Sequence, residues 1–136
     1  MCKNFIKAIL LMFVFICLSA CTYDRGLILF NNSPITQNNA LHDQKVFKEG
    51  ARVYYLFIAP KKLTNPLIRV QVFTITDKDY LGGEDVVRTK DIRLMQDERY
   101  YYTDYFTFWQ KGKYVMQVFS HDDFTHPLSV NFFYVQ

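Results

Sequence analysis

The sequence predicts an all-β chain built around one antiparallel β-sandwich of about seven short strands. Three observations carry this. Segments rich in aromatic and β-branched residues recur, broken by turn signals every ten or so positions. No segment holds a sustained helical period. The 13 Phe, 10 Tyr and one Trp supply enough buriable area to fill the space between two sheets.

The first twenty residues stand apart from that pattern. Lys3 and Lys7 make a positive start, and Ala8 to Cys17 is an uncharged apolar run. Its ten residues suit the apolar region of an export signal. They are too few to span a bilayer, which takes roughly twenty. Leu18, Ser19, Ala20 and Cys21 then give an aliphatic residue, two small residues and a cysteine. This stretch resembles the lipobox of bacterial lipoproteins. The resemblance implies cleavage before Cys21, a diacylglyceryl group on its sulfur and an acylated new amine. Two or three acyl chains make a durable anchor where one does not. Thr22 stands where Asp would retain an enteric-type lipoprotein at the inner membrane, so the resemblance leans towards the outer membrane in a diderm source.

Cleavage leaves 116 residues, one domain's length. The full chain carries +3, and loss of Lys3 and Lys7 brings this to +1. No basic run exceeds Lys61-Lys62, so there is no electrostatic footprint for nucleic acid. Cys2 and Cys17 leave with the signal, and a lipid on Cys21 occupies the last thiol. Disulfides, a catalytic thiol and a cysteine metal site are thereby excluded, and packing must hold the fold.

Three regions follow: a signal peptide over 1–20, a lipidated N-terminus and polar tether over 21–45, and the sandwich over 46–136. Asn31-Asn32-Ser33-Pro34 and Gln37-Asn38-Asn39 give the tether its polarity. Leu27 to Phe30 interrupts it, as a short first strand or an extended membrane-proximal segment. Gly50 marks a turn. Arg52 to Ile58 is apolar on both faces, as a central strand would be. Pro60 to Pro66 is a loop. Leu67 to Thr76 alternates, with Ile68, Val70 and Val72 on one side and Arg69 and Gln71 on the other. Asp77 to Asp85 is a loop around Gly82-Gly83. Val86 to Met95 is β-rich but charged, which suits an edge. Gln96 to Arg99 is turn-like, and Tyr101 to Trp109 is aromatic and Thr-rich. Lys113 to Ser120 follows a corner at Lys111-Gly112. After a loop over His121 to Pro127, Leu128 to Val135 closes the chain with Leu128, Val130, Phe132 and Tyr134 on one face.

Gly112, Tyr114, Met116 and Val118 sharpen the fold. A Gly two residues before a Tyr, then alternating apolar residues, is similar to the corner between strands E and F of immunoglobulin-like and fibronectin-III-like domains. The resemblance implies an immunoglobulin-like sandwich in which the Tyr114 hydroxyl is tied to nearby backbone. Met116 stands where antibody domains carry a cysteine. The resemblance speaks to fold and not to activity.

Candidate chemistry is thin. Ser120, His121 and Asp122 have the residue types of a triad, but consecutive side chains diverge. His121, Asp122, Asp123 and His126 offer ligand types within one loop but no recognised spacing. Asp77, Asp79, Glu84 and Asp85 invite a calcium reading, yet the EF-hand pattern does not continue. No cofactor, metal site or catalytic residue is assigned, and the chain reads as non-enzymatic.

The best surface candidate is aromatic. If Phe106 and Phe108 face the core, alternation turns Tyr101, Tyr105 and Trp109 outward with Thr103 and Thr107. Such a stripe suits a protein or glycan partner, unless the tether or loops cover it or the alternation is reversed. The expectation is a membrane-anchored lipoprotein of the bacterial envelope, held through Cys21 and acting as a non-catalytic protein-binding or accessory module. The alternative is a small-ligand or glycan binder using Tyr101, Tyr105 and Trp109.

Overall fold

A computed structural model of the chain describes residues 25–75 and 84–136. Its strands are β1 (Leu27–Asn31), β2 (Val46–Phe47), β3 (Arg52–Ile58), β4 (Leu67–Ile75), β5 (Glu84–Arg93), β6 (Tyr101–Thr107), β7 (Gly112–Ser120) and β8 (Ser129–Val135). They form a three-stranded sheet in the order β1-β3-β6 and a five-stranded sheet in the order β2-β8-β7-β4-β5. Every pairing is antiparallel except β2 with β8. The two-sheet sandwich expected from the sequence is present, with β2 as a short additional strand.

Inward residues of the two sheets make the core. Ile28 and Phe30 of β1 and Val53, Tyr55 and Phe57 of β3 face Ile68, Val70, Val72, Tyr114, Met116, Val118, Phe133 and Val135 from the other sheet. Rings lock the centre: Phe30 and Phe133 lie 4.8 Å apart, and Phe108 and Tyr114 4.5 Å. β3 is apolar on both faces because it lies in the middle of its sheet and because its outward Leu56 is also buried. β5 tolerates charge because it is an edge. Arg88 and Lys90 stand opposite the inward Val72 and Val70, and Lys90 ion-pairs with Asp104 on β6, the edge of the other sheet. Inward charges at an edge discourage strand addition.

The corner before β7 has the form that its residues imply. The Tyr114 hydroxyl donates to the Gln110 carbonyl at 2.7 Å. Gly112 takes φ +153°, a conformation that side chains resist. Met116 is fully buried at the place discussed above.

The tether expected over 21–45 needs correction. β1 pairs with β3 along its whole length and buries Ile28 and Phe30. Its other edge is satisfied as well. The Ser129 hydroxyl donates to the Gly26 carbonyl at 2.8 Å, the Asn131 amide to the Ile28 carbonyl at 2.6 Å, and the Gln44 N–H to the Phe30 carbonyl at 2.9 Å. Residues 32–45 then turn back over the domain, pinned by the Asn39 side chain to Ser33 and Pro34. Residues 26–45 therefore belong to the sandwich with 46–136, and Leu27–Asn31 is the short first strand that the sequence allowed. Polar composition suggested a linker there because it is spent on local turn hydrogen bonds.

The sandwich has two ends. Arg25 and the loops over 59–66, 94–100 and 121–128 share one, joined by bonds such as Ala59 N–H to Tyr100 carbonyl and Leu94 N–H to Pro66 carbonyl. Gly50, Trp109, Gly112 and Gln136 lie at the other.

Candidate functional site

β6 places its residues as strand alternation requires. Tyr101, Thr103 and Tyr105 are exposed, while Phe106 is half-buried and Phe108 is buried. Tyr101 and Tyr105 point to the same side about 13 Å apart, four residues along a strand. Tyr105 packs on Tyr54 at 5.3 Å, and the Arg52 guanidinium lies 4.8 Å from its ring centre. Trp109 lies past the strand's end. Its ring covers Gly50, which has φ +76° and no room for a side chain, yet Trp109 remains 72% exposed. The three rings are strung along the molecule rather than gathered in one platform.

Tyr101 borders a groove of about 570 Å³. Ile35, Thr36, Gln37 and Ala40 form one wall, and Leu56, Ile58, Tyr100, Tyr101 and Thr103 the floor and the other wall. The turn over 37–41 makes this groove by standing over the outer face of β3 and β6. Its lining is apolar with hydroxyl and amide groups and has no ionisable side chain apart from the phenols. Such a groove suits a neutral ligand part.

Sequence reasoning placed Val130, Phe132 and Tyr134 on one face of β8, and the structure shows that face to be the outer one. The core side is Ser129, Asn131, Phe133 and Val135. Registration extends the outer face across the sheet in two rows. One runs Val46, Tyr134, Lys113, Ile75; the next runs Phe132, Val115, Phe73, Val86. Val46, Ile75, Val86, Phe132 and Tyr134 are all exposed. The Lys45 and Lys113 ammonium groups lie 4.9 and 4.8 Å from the Phe132 ring centre. A second groove of about 430 Å³ adjoins the patch at Ile75, Lys113 and Tyr134. Towards the loop end the same face turns polar, through Gln71, Gln117, Arg69 and Asp91.

The polar loop after β7 divides its side chains among separate partners. His121 Nε2 lies 3.1 Å from Asp91, which also takes a bidentate pair from Arg69 at 2.7 and 3.0 Å. The Arg69 hydrogen bond chiefly holds the Asp91 carboxyl down, to about 2. Asp122 accepts from the Asn65 amide at 2.6 Å. Asp123 accepts from Thr125 and pairs with His126, and those bonds hold its carboxyl well below the usual range. His121 therefore meets Asp91 and not Ser120, whose hydroxyl accepts the Asp122 N–H. Among the described residues no group of three or more His, Cys, Asp or Glu is placed to hold a metal ion.

Inside, burial pushes the Tyr55 phenol far up, and its hydroxyl has no hydrogen-bond partner among the described residues. Burial, then the nearby Asp104, pushes Tyr102 up to about 12. Cys21, Asp77 and Asp79 lie outside the described residues.

No protein-family model matches the chain, and no curated protein does. Among solved structures it is similar to an immunoglobulin-like protein from Pseudomonas aeruginosa, with a TM-score of 0.51 and 12% identity over 81% of this chain and 92% of that one. The fold is thus immunoglobulin-like. A second likeness is to the Pseudomonas fluorescens alkylpurine DNA glycosylase AlkC, solved bound to DNA containing an abasic-site analogue. Its TM-score is 0.40 at 10% identity over 80% of this chain and 30% of that one, too remote to bear on function.

Proposed function

We propose that this chain is a lipoprotein of the bacterial envelope, anchored through Cys21, whose sandwich binds another protein without catalysing a reaction. One observation carries the binding: Val46, Ile75, Val86, Phe132 and Tyr134 stand exposed on one outer face of the five-stranded sheet, around Lys113 and the buried Phe73. Contiguous exposed apolar surface marks interaction sites, and aromatic residues dominate binding energy when water is excluded from them. Lys113 over Phe132 can turn to an acidic group at a partner's rim, while Lys45 on the same ring is held by Asp43 and Asn131. The lipobox residues Leu18 to Cys21 support the anchor, and Thr22 favours the outer membrane in a diderm source.

Photo-crosslinking in intact cells tests this. A crosslinking amino acid at position 132 should trap a discrete protein, and one at Tyr105, on the outer face of the other sheet, should not. Tyr134→Ala should weaken that adduct at least tenfold, the loss of one anchor residue worth about 2 kcal/mol. Equal labelling from both positions, or none from 132, overturns the reading.

The groove beside Tyr101 favours a second reading, a binder of small neutral molecules or glycan ends. A neutral oligosaccharide whose titration shifts the Tyr101 ring resonances, with the response lost in Ile58→Glu, would support it. Trp109 emission is the wrong probe, since that ring lies at the opposite end of β6.

A further inference from the structure

The corrected domain boundary fixes how close the sandwich lies to the lipid. The Gly26 N–H donates to the Leu128 carbonyl at 2.8 Å, so the fold already holds the chain at Gly26. Only four links separate Arg25 from Cys21, and fully extended they reach about 14 Å. β3 alone runs about 20 Å along the sandwich, at 3.3 Å per residue. An anchor on Cys21 therefore keeps the end that carries Arg25 within about 14 Å of the lipid, and what that end presents decides whether the sandwich stands on it.

The tips of that end have the chemistry of an interface. Lys61 and Lys62 project from the loop after β3, and Met95 (70% exposed) and Tyr100 from the loop before β6. Phe124, on the loop after β7, is part-exposed, with one face of its ring packed on Arg69 at 4.6 Å and on His121 at 5.1 Å. Long aliphatic ammonium side chains, a thioether and aromatic rings are groups that settle between headgroups and acyl chains. The charges at this end nearly balance. Arg25, Lys61, Lys62, Arg93 and Arg99 face Asp97, Glu98, Asp122 and Asp123. Four of these are already engaged: Arg99 on the Leu63 and Thr64 carbonyls, Glu98 on the Met95 N–H, Asp122 on the Asn65 amide, and Asp123 on Thr125 and His126. Reach and apolar tips, rather than net charge, choose the surface.

We propose that the loop end bearing Met95, Tyr100 and Phe124 rests on the bilayer surface. The sandwich then stands upright, and the Phe132–Tyr134 face is carried away from the membrane. This rests on the reading that Cys21 is lipidated.

The test uses the full lipid-modified chain in vesicles of phosphatidylethanolamine and phosphatidylglycerol carrying a headgroup-level nitroxide quencher. A polarity-sensitive fluorophore is attached at Met95→Cys, Phe124→Cys, Trp109→Cys or Phe132→Cys. Quenching at 95 and 124 should exceed that at 109 and 132 several-fold. The intact mass of the same sample separates the two readings. An unmodified mass overturns the anchor and this proposal with it. A lipidated mass with 109 or 132 quenched as strongly as 95 overturns the upright orientation alone.

Discussion

Two tyrosines inside the same core make opposite use of their hydroxyls. Tyr114 reaches the Gln110 carbonyl, so Tyr114→Phe leaves a carbonyl short of its donor and should cost about 1 kcal/mol in urea unfolding. Tyr55 is completely buried, and its hydroxyl meets no partner among the described residues. Tyr55→Phe removes a desolvated hydroxyl and keeps the ring stacked on Phe106. It should leave stability unchanged or raise it by up to about 1 kcal/mol in the same measurement. Sequence could point to Tyr114, because a Gly two residues earlier and the alternation after it mark a corner. Nothing local distinguished Tyr55, since the character of its site is set by β6 and the opposing sheet.

At the level of elements, β1 is where polar sequence and tertiary role diverge. Leu27 to Phe30, beside an Asn-rich stretch, read as a short first strand or an extended membrane-proximal segment; in the structure both edges of β1 are bonded and two of its side chains fill the core. Phe30→Ala should cost about 3–5 kcal/mol by denaturant titration, the range for deleting a buried aromatic ring. A loss under 1 kcal/mol would mean that β1 is dispensable. The longer strands were legible because their alternation spans several residues. β3 was legible through its two apolar faces and β5 through its charge. β2 has two residues and therefore no period to read. β8 was the instructive case. Phe132 and Phe133 are adjacent, so both faces carry a large ring, and alternation alone could not say which one is buried. The binding face proposed here was hidden by that ambiguity.

For the whole molecule, the buried phenols set an alkaline limit. Tyr55, Tyr102 and Tyr114 all have raised values, Tyr102 to about 12, with burial as the first cause in each. An unfolded tyrosine ionises near 10. Folded forms that hold their protons longer are fully favoured below that pH. The advantage is lost as pH climbs from about 10 through 12. Thermal melts should show Tm flat from neutrality to about pH 9.5 and falling above 10, with tyrosinate absorbance rising together with unfolding. The pairing of β1 has one more consequence, which is mechanical. The strand enters the domain from the end that the proposed lipid on Cys21 would hold and runs lengthwise against β3. In the arrangement proposed above, a pull on Cys21 opposed by a partner on the Phe132–Tyr134 face would act along the β1 axis and load its hydrogen bonds side by side. They would have to yield together rather than peel one at a time, so a five-residue strand would be the clasp between the proposed anchor and the proposed partner.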